Sequence, residues 1–212
     1  RQLLAEMAGP TSRLACIEEI FSEEGSRLFL SFVEVNPEIV AQTLDSVIRG
    51  LTIEELGRLR EGRSNIVWTI GKLCFDPSTF ERGAQMMLRM ATAENDSSGC
   101  SALDQFAGLF SVNQPATATS LIERLSFLEE HCKYSDQYLP LLEAIACALR
   151  AQEPSYADGA EIRGLEQLVC YSSQNDDEIK AYLKGCLDIL MRITKHSFLL
   201  LQAGCKILLL AV

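Results

Sequence analysis

Apolar residues in this chain recur at offsets of three and four, the spacing of one face of an α-helix. Between residues 177 and 194 they fall at Ile179, Tyr182, Leu183, Cys186, Leu187, Leu190 and Ile193. Ile39, Val40, Leu44, Val47 and Ile48 repeat the pattern, as do Leu121, Ile122, Leu125 and Leu128. No segment sustains the two-residue alternation of a half-buried strand, and no Asn-Gly or Asp-Gly turn separates apolar strands. The chain is therefore expected to be all-α, with about ten to twelve helices and essentially no sheet.

Punctuation agrees with the periodicity. Thr52 and Glu55 fit a capping box, in which each side chain satisfies an orphan backbone N–H at the helix start. Pro37 and Pro77 suit a first helical turn, where the missing N–H costs nothing. Ser135 and Asp136 are expected to cap a helix running to about Ala151, and Gly50 and Gly62 stand where C-terminal caps would fall. Residues 95–99, 152–159 and 172–177 read as polar connections between helices.

Pro37, Pro77, Pro115 and Pro154 follow one another at intervals of 40, 38 and 39 residues. Each precedes a segment of similar outline, such as PEIVAQTLDSVIRGL and PSTFERGAQMMLRMA. A period near 40 built from two helices predicts a HEAT- or armadillo-like α-solenoid of stacked helix pairs; the alternative is an irregular helical bundle. Residues 1–212 are read as one helical repeat domain. The chain starts at Arg1 rather than Met and stops inside the apolar run ILLLAV, so it is expected to be a piece of a longer protein.

With 212 residues, 48% of them hydrophobic, the chain can bury a real core. Its formal net charge of −10 repels phosphate backbones and anionic lipid headgroups, which argues against nucleic-acid or membrane partners. Arg58, Arg60 and Arg63 form the only dense basic cluster and are expected to be a solvated helix end. The most apolar stretch, residues 198–212, is interrupted by Gln202 and Lys206 and is shorter than the roughly 20 residues of a membrane span. The eight cysteines lie mostly within apolar helical patterns and are read as reduced, buried small hydrophobes, consistent with a cytoplasmic setting. Trp68 is expected to be a core anchor, and Met86, Met87 and Met90 core filler.

Nothing in the sequence assembles a reaction centre. Gly71-Lys72 lacks the other residues of a phosphate-binding loop and falls within a helical pattern. There is no Cys-x-x-Cys pair, adjacent His131 and Cys132 diverge on a helix, and His196 stands alone, so no metal site is expected. The paired carboxylates Glu18/Glu19, Glu23/Glu24, Glu54/Glu55, Glu129/Glu130 and Asp176/Asp177 are neighbours that point apart, which suits solvated faces. No catalytic, cofactor-binding or metal-ligating residue is assigned, no cofactor is expected, and the residues of a binding face are not specified.

Three strings stand in sequence: NIVWTIGKLCF from residue 65, FERGA from residue 80 with ATAEN from residue 91, and QFAGLF from residue 105 leading to PATA at residue 115. Their order and spacing resemble a helical region of large bacterial NTPases of the STAND class, which include antiviral defence proteins. The likeness covers roughly residues 51–128 and rests on packing residues. It implies a sensor or scaffold arm that binds another protein, either further domains of its parent or a phage protein, with self-association as a further outcome. None of that family's nucleotide-binding residues is matched. The expected function is a non-catalytic protein-interaction scaffold. The alternatives are a structural spacer without its own partner and an α-helical enzyme with a site assembled from distant residues.

Overall fold

The computed structural model describes residues 6, 8–12, 14–94, 101–113, 116–150, 171, 173, 175–195 and 198–210. They form eleven α-helices: α1 (Ile17–Ile20), α2 (Glu23–Val35), α3 (Pro37–Gly50), α4 (Ile53–Arg58), α5 (Arg63–Phe75), α6 (Phe80–Thr92), α7 (Ala102–Gly108), α8 (Leu121–His131), α9 (Tyr138–Leu149), α10 (Asp176–Thr194) and α11 (Phe198–Leu210). A 3₁₀ turn, Ser135–Gln137, leads into α9. The described residues contain no strand, so the protein is all-α there.

Polar side chains start the helices where their N–H groups would otherwise be orphaned. Thr52 and Glu55 form the expected capping box on α4, and Ser120 and Glu123 form a second on α8. Asn36 caps α3, with Pro37 in its first turn. Four other expectations shift. Pro77 lies in the turn before α6, whose N-cap is Thr79. Gly50 is the last residue of α3 rather than its cap. Gly62 ends nothing: it adopts φ 61° as the N-cap of α5. Ser135 and Asp136 enter the 3₁₀ turn instead of capping α9 directly, and α9 ends at Leu149. Pro115, Pro154, the connections at 95–99 and 152–159, Ser172 and Gln174 of the one at 172–177, Ala151, Cys100, Cys170 and His196 lie outside the described residues.

Helix α2 packs on α3 and α5, α3 on α6, and α5 on α6. Further along, α6 packs on α7, α7 on α9, α8 on α10, and α11 on α9 and α10. The polar links from α2 to α5, Asn65 to Ser26 and Lys72 to Glu34 at 2.5 Å, span 39 and 38 residues of sequence. One continuous apolar core runs from Ile20 to Ile207. Val40, Ala41, Leu44 and Ile48 bury the inner face of α3, and the Met86, Met87 and Met90 side chains are buried as expected. Phe127 ties α8 into an aromatic cluster with Phe80, Phe106 and Phe110 at centroid distances of 6.0 to 6.2 Å.

Trp68 is not a core anchor. It sits on the outer face of α5 with 41% of its surface exposed, because the inward face is filled by Ile66, Val67, Ile70 and Leu73. Ile122, taken for part of the buried stripe of α8, is 68% exposed, and the stripe runs instead through Leu121, Arg124, Phe127, Leu128 and His131. Among the described cysteines, Cys74, Cys132, Cys147 and Cys186 are buried as read, but Cys16 and Cys205 are exposed. No helix among the described residues is long and apolar enough to cross a membrane.

Close approach to backbone requires glycine at Gly25, where a Cβ would meet the Glu19 carbonyl oxygen at 1.8 Å, and at Gly62 and Gly83. A Cβ on Gly62 would meet the Phe21 carbonyl oxygen at 2.6 Å, on top of a backbone conformation that L side chains rarely adopt. A Cβ on Gly83 would meet the Cys74 nitrogen at 3.0 Å, where α6 crosses α5. Gly50 faces open space. Gly62→Ala is therefore expected to lower unfolding free energy by about 1–3 kcal/mol, whereas Gly50→Ala should leave it unchanged or raise it by up to about 1 kcal/mol. Urea unfolding of the two variants side by side measures both.

Candidate functional site

Helix C-termini leave carbonyl oxygens without intrahelical partners, and where such an end is buried something else must donate. The last turn of α5 ends inside the protein. Thr79 Oγ1 donates to Leu73 O at 2.7 Å, Thr117 Oγ1 to Cys74 O at 2.8 Å, and the Ala118 N–H to Phe75 O at 2.9 Å. Thr117 and Thr119 are buried and bonded to each other at 3.0 Å. The Thr117 carbonyl in turn accepts the Tyr171 N–H at 2.9 Å.

The end of α7 is held in a different way. Arg124 Nη1 donates to Leu109 O at 3.0 Å and to Ser111 O at 2.7 Å, and the Tyr182 hydroxyl donates to the intervening Phe110 O at 2.8 Å. Three successive carbonyls are thus taken by side chains from α8 and α10. Arg124 is 0% exposed. Its position follows from local sequence: the Ser120–Glu123 box fixes where α8 begins, and residue 124 then shares a face with Leu121 and Leu128. The guanidinium carbon lies 5.8 Å from the Tyr171 ring centroid and 5.6 Å from that of Tyr182. Tyr171 and Ser173 hydroxyls donate to Glu178 at 2.7 and 2.6 Å. These bonds favour the carboxylate of Glu178 and lower its pKa, while Glu178 raises that of Tyr171.

A second buried arginine does related work. Arg63, 6% exposed, donates from Nη1 to Leu56 O and from Nη2 to Met90 O, both at 2.9 Å, joining the ends of α4 and α6. This removes it from the basic cluster read in the sequence. Arg58 remains solvated, in an i,i+4 pair with Glu54 at 2.5 Å, and Arg60 is exposed. Lys72 lies within α5, as its helical pattern predicted, and pairs with Glu34.

The buried thiol and phenol of this region favour their neutral forms. Burial pushes the Cys186 thiol up to about 12 and the Tyr182 hydroxyl well above its usual range. A thiol so placed is not a nucleophile at neutral pH. His131 and Cys132 take different partners: the His131 ring stacks on Phe127 at 4.3 Å with Nδ1 3.1 Å from Gln137 Oε1, while Cys132 Sγ donates to Glu129 O at 3.1 Å. The Glu18/Glu19, Glu23/Glu24, Glu54/Glu55 and Asp176/Asp177 pairs sit in first helical turns, and Glu129 and Glu130 are exposed near the end of α8. No group of three or more His, Cys, Asp or Glu side chains able to hold a metal ion occurs among the described residues.

With this geometry in view, comparison with known proteins finds no match: no family model, no curated protein and no solved structure is similar to the chain.

Tyr182→Phe, which leaves the Phe110 carbonyl unpaired, should cost about 1–3 kcal/mol. Arg124→Met strips two carbonyls of their donor and is expected to cost more than Tyr182→Phe, about 2–5 kcal/mol. Chemical denaturation of both variants tests the order. Burial lowers the pKa of His131 below its ordinary 6.5, outweighing the opposing bond to Gln137. The native state therefore binds this proton less readily than the unfolded chain. That contribution to stability is complete above about pH 6.5 and is lost as pH falls through it. His131→Phe should flatten the stability profile as pH falls below about 6.5, read by thermal melts at successive pH values.

Proposed function

We propose that this chain is a non-catalytic protein-interaction scaffold, a HEAT-like segment of a larger protein whose outer surface contacts another domain of its parent or a separate protein. The observation that carries this reading is the stacking of the pair α2–α3 on the pair α5–α6, with α2 on α5 and α3 on α6. Repeated stacking of this kind builds extended surfaces rather than enclosed reaction sites. Trp68, Leu28 and Val35, on α5 and α2, are 41%, 41% and 50% exposed, and aromatic residues of this sort serve as anchors in interfaces. The acidic balance disfavours nucleic acid and anionic membrane as the partner. The specific version of the reading is a cytoplasmic sensor arm of a STAND-class NTPase acting in antiviral defence, resting on the strings between residues 65 and 118.

A spacer role, holding neighbouring domains at fixed geometry, is favoured by the buried bonds at 109–111 and 117–119, which lock successive helices together. The two readings differ at the surface. If the chain recruits a partner, Trp68→Ala lowers capture of parent domains or phage proteins in pull-down while changing unfolding free energy by less than about 1 kcal/mol. If it is a spacer, the substitution is silent in the same assay. Capture of chaperones alone would count against recruitment.

A further inference from the structure

We propose that the Nε–Nη2 edge of Arg124 is a receptor for an oxyanion, taking two oxygens of a carboxylate or phosphate group side-on. A guanidinium carries five N–H donors in a plane. Nη1 of Arg124 is committed to the Leu109 and Ser111 carbonyls. Nε and Nη2 meet no acceptor, although the residue is 0% exposed. These two are not an arbitrary remainder: they share one edge of the guanidinium, with nearly parallel N–H bonds at the spacing of two oxygens of a carboxylate or phosphate.

Among the described residues, none accepts from this edge. The nearby carboxylate, Glu178, already accepts from Tyr171 and Ser173 and makes no ion pair with Arg124. The Tyr171 and Tyr182 rings, at 5.8 and 5.6 Å, lie close to the outer limit of roughly 6 Å for cation–π attraction and offset the charge only weakly. Arg63, by contrast, spends both Nη atoms on carbonyl oxygens. Buried N–H donors without acceptors are costly, and an oxyanion on this edge supplies the acceptors together with a charge closer than that of Glu178. The inference goes beyond the scaffold reading and does not rest on it.

The test is a side-chain NMR titration of the full chain, following the arginine Nε–Hε signals. The Arg124 signal is identified by its loss in Arg124→Lys, which keeps the charge and removes the fork. If that variant does not fold, the signal is identified by its displacement in Tyr182→Phe. Inorganic phosphate and acetate are added separately, with chloride at matched ionic strength as the control. The expected result is a saturable shift of the Arg124 signal with phosphate or acetate and none with chloride. Saturation at about tenfold lower phosphate than acetate assigns a phosphate ligand, and the reverse order a carboxylate. A thermal melt should rise with the same anion in the natural protein and not in Arg124→Lys. An unmoved signal, or a linear drift equal for all three salts, which means an adventitious ion only, overturns the proposal.

Discussion

Every helix that ends inside a protein presents carbonyl oxygens that water cannot reach, and the cost of leaving them bare is of the same order as a whole folded domain's margin of stability. In this chain that constraint is met from a distance. The end of α5 is closed by Thr79, Thr117 and Ala118, and the end of α7 by Arg124 and Tyr182. The donors come from 6 to 72 residues away in sequence, so satisfying each end also fixes where α8 and α10 sit. Apolar burial drives the helices together without choosing among similar packings, because it is non-directional. The carbonyl bonds are directional and select one arrangement.

The same division separates interior from exterior. Thr79, Thr117 and Arg63 are spent on backbone carbonyls, and the buried thiol and phenol of Cys186 and Tyr182 are held neutral by burial. Charge is placed outside, in i,i+4 pairs such as Arg27–Glu23 and Arg49–Asp45 and in links between helices such as Arg82–Glu38. Exposed pairs of this kind add little to stability. What they leave free is an outer surface interrupted by Trp68, Leu28, Val35, Ile122 and Met191, which is where the proposed scaffold role is located.

Much of the architecture was legible because it rests on local rules. The Thr52–Glu55 box, Pro37 at a helix start and the buried methionines of α6 follow from short-range spacing, and the structure has them as read. Gly62 is a helix boundary, as its sequence position suggests, but at the start of α5 rather than at the end of α4, since a left-handed glycine suits an entrance as well as an exit. Trp68 was misplaced because size favours burial on average, whereas its own helix had enough aliphatic side chains to fill the inner face. The arginine centre was missed for a related reason. Arginine is assigned to surfaces by composition, yet the 121, 124, 128 spacing already set Arg124 among buried leucines. The Ser120–Glu123 box, unread in the sequence, would have fixed that register. The carbonyls it serves could not be read at all, since they depend on a turn in another helix.

The central claim is that these long-range bonds to helix ends open only when the whole molecule does. Native-state hydrogen exchange at the Ala118 amide, which donates to Phe75 O, reads this directly. The account predicts protection equal to that of the buried amides in the middle of α5 and α6, with exchange only through global unfolding. Exchange of Ala118 by local opening, orders of magnitude faster than those helices, would show that the helix ends are held by apolar packing alone and would contradict it.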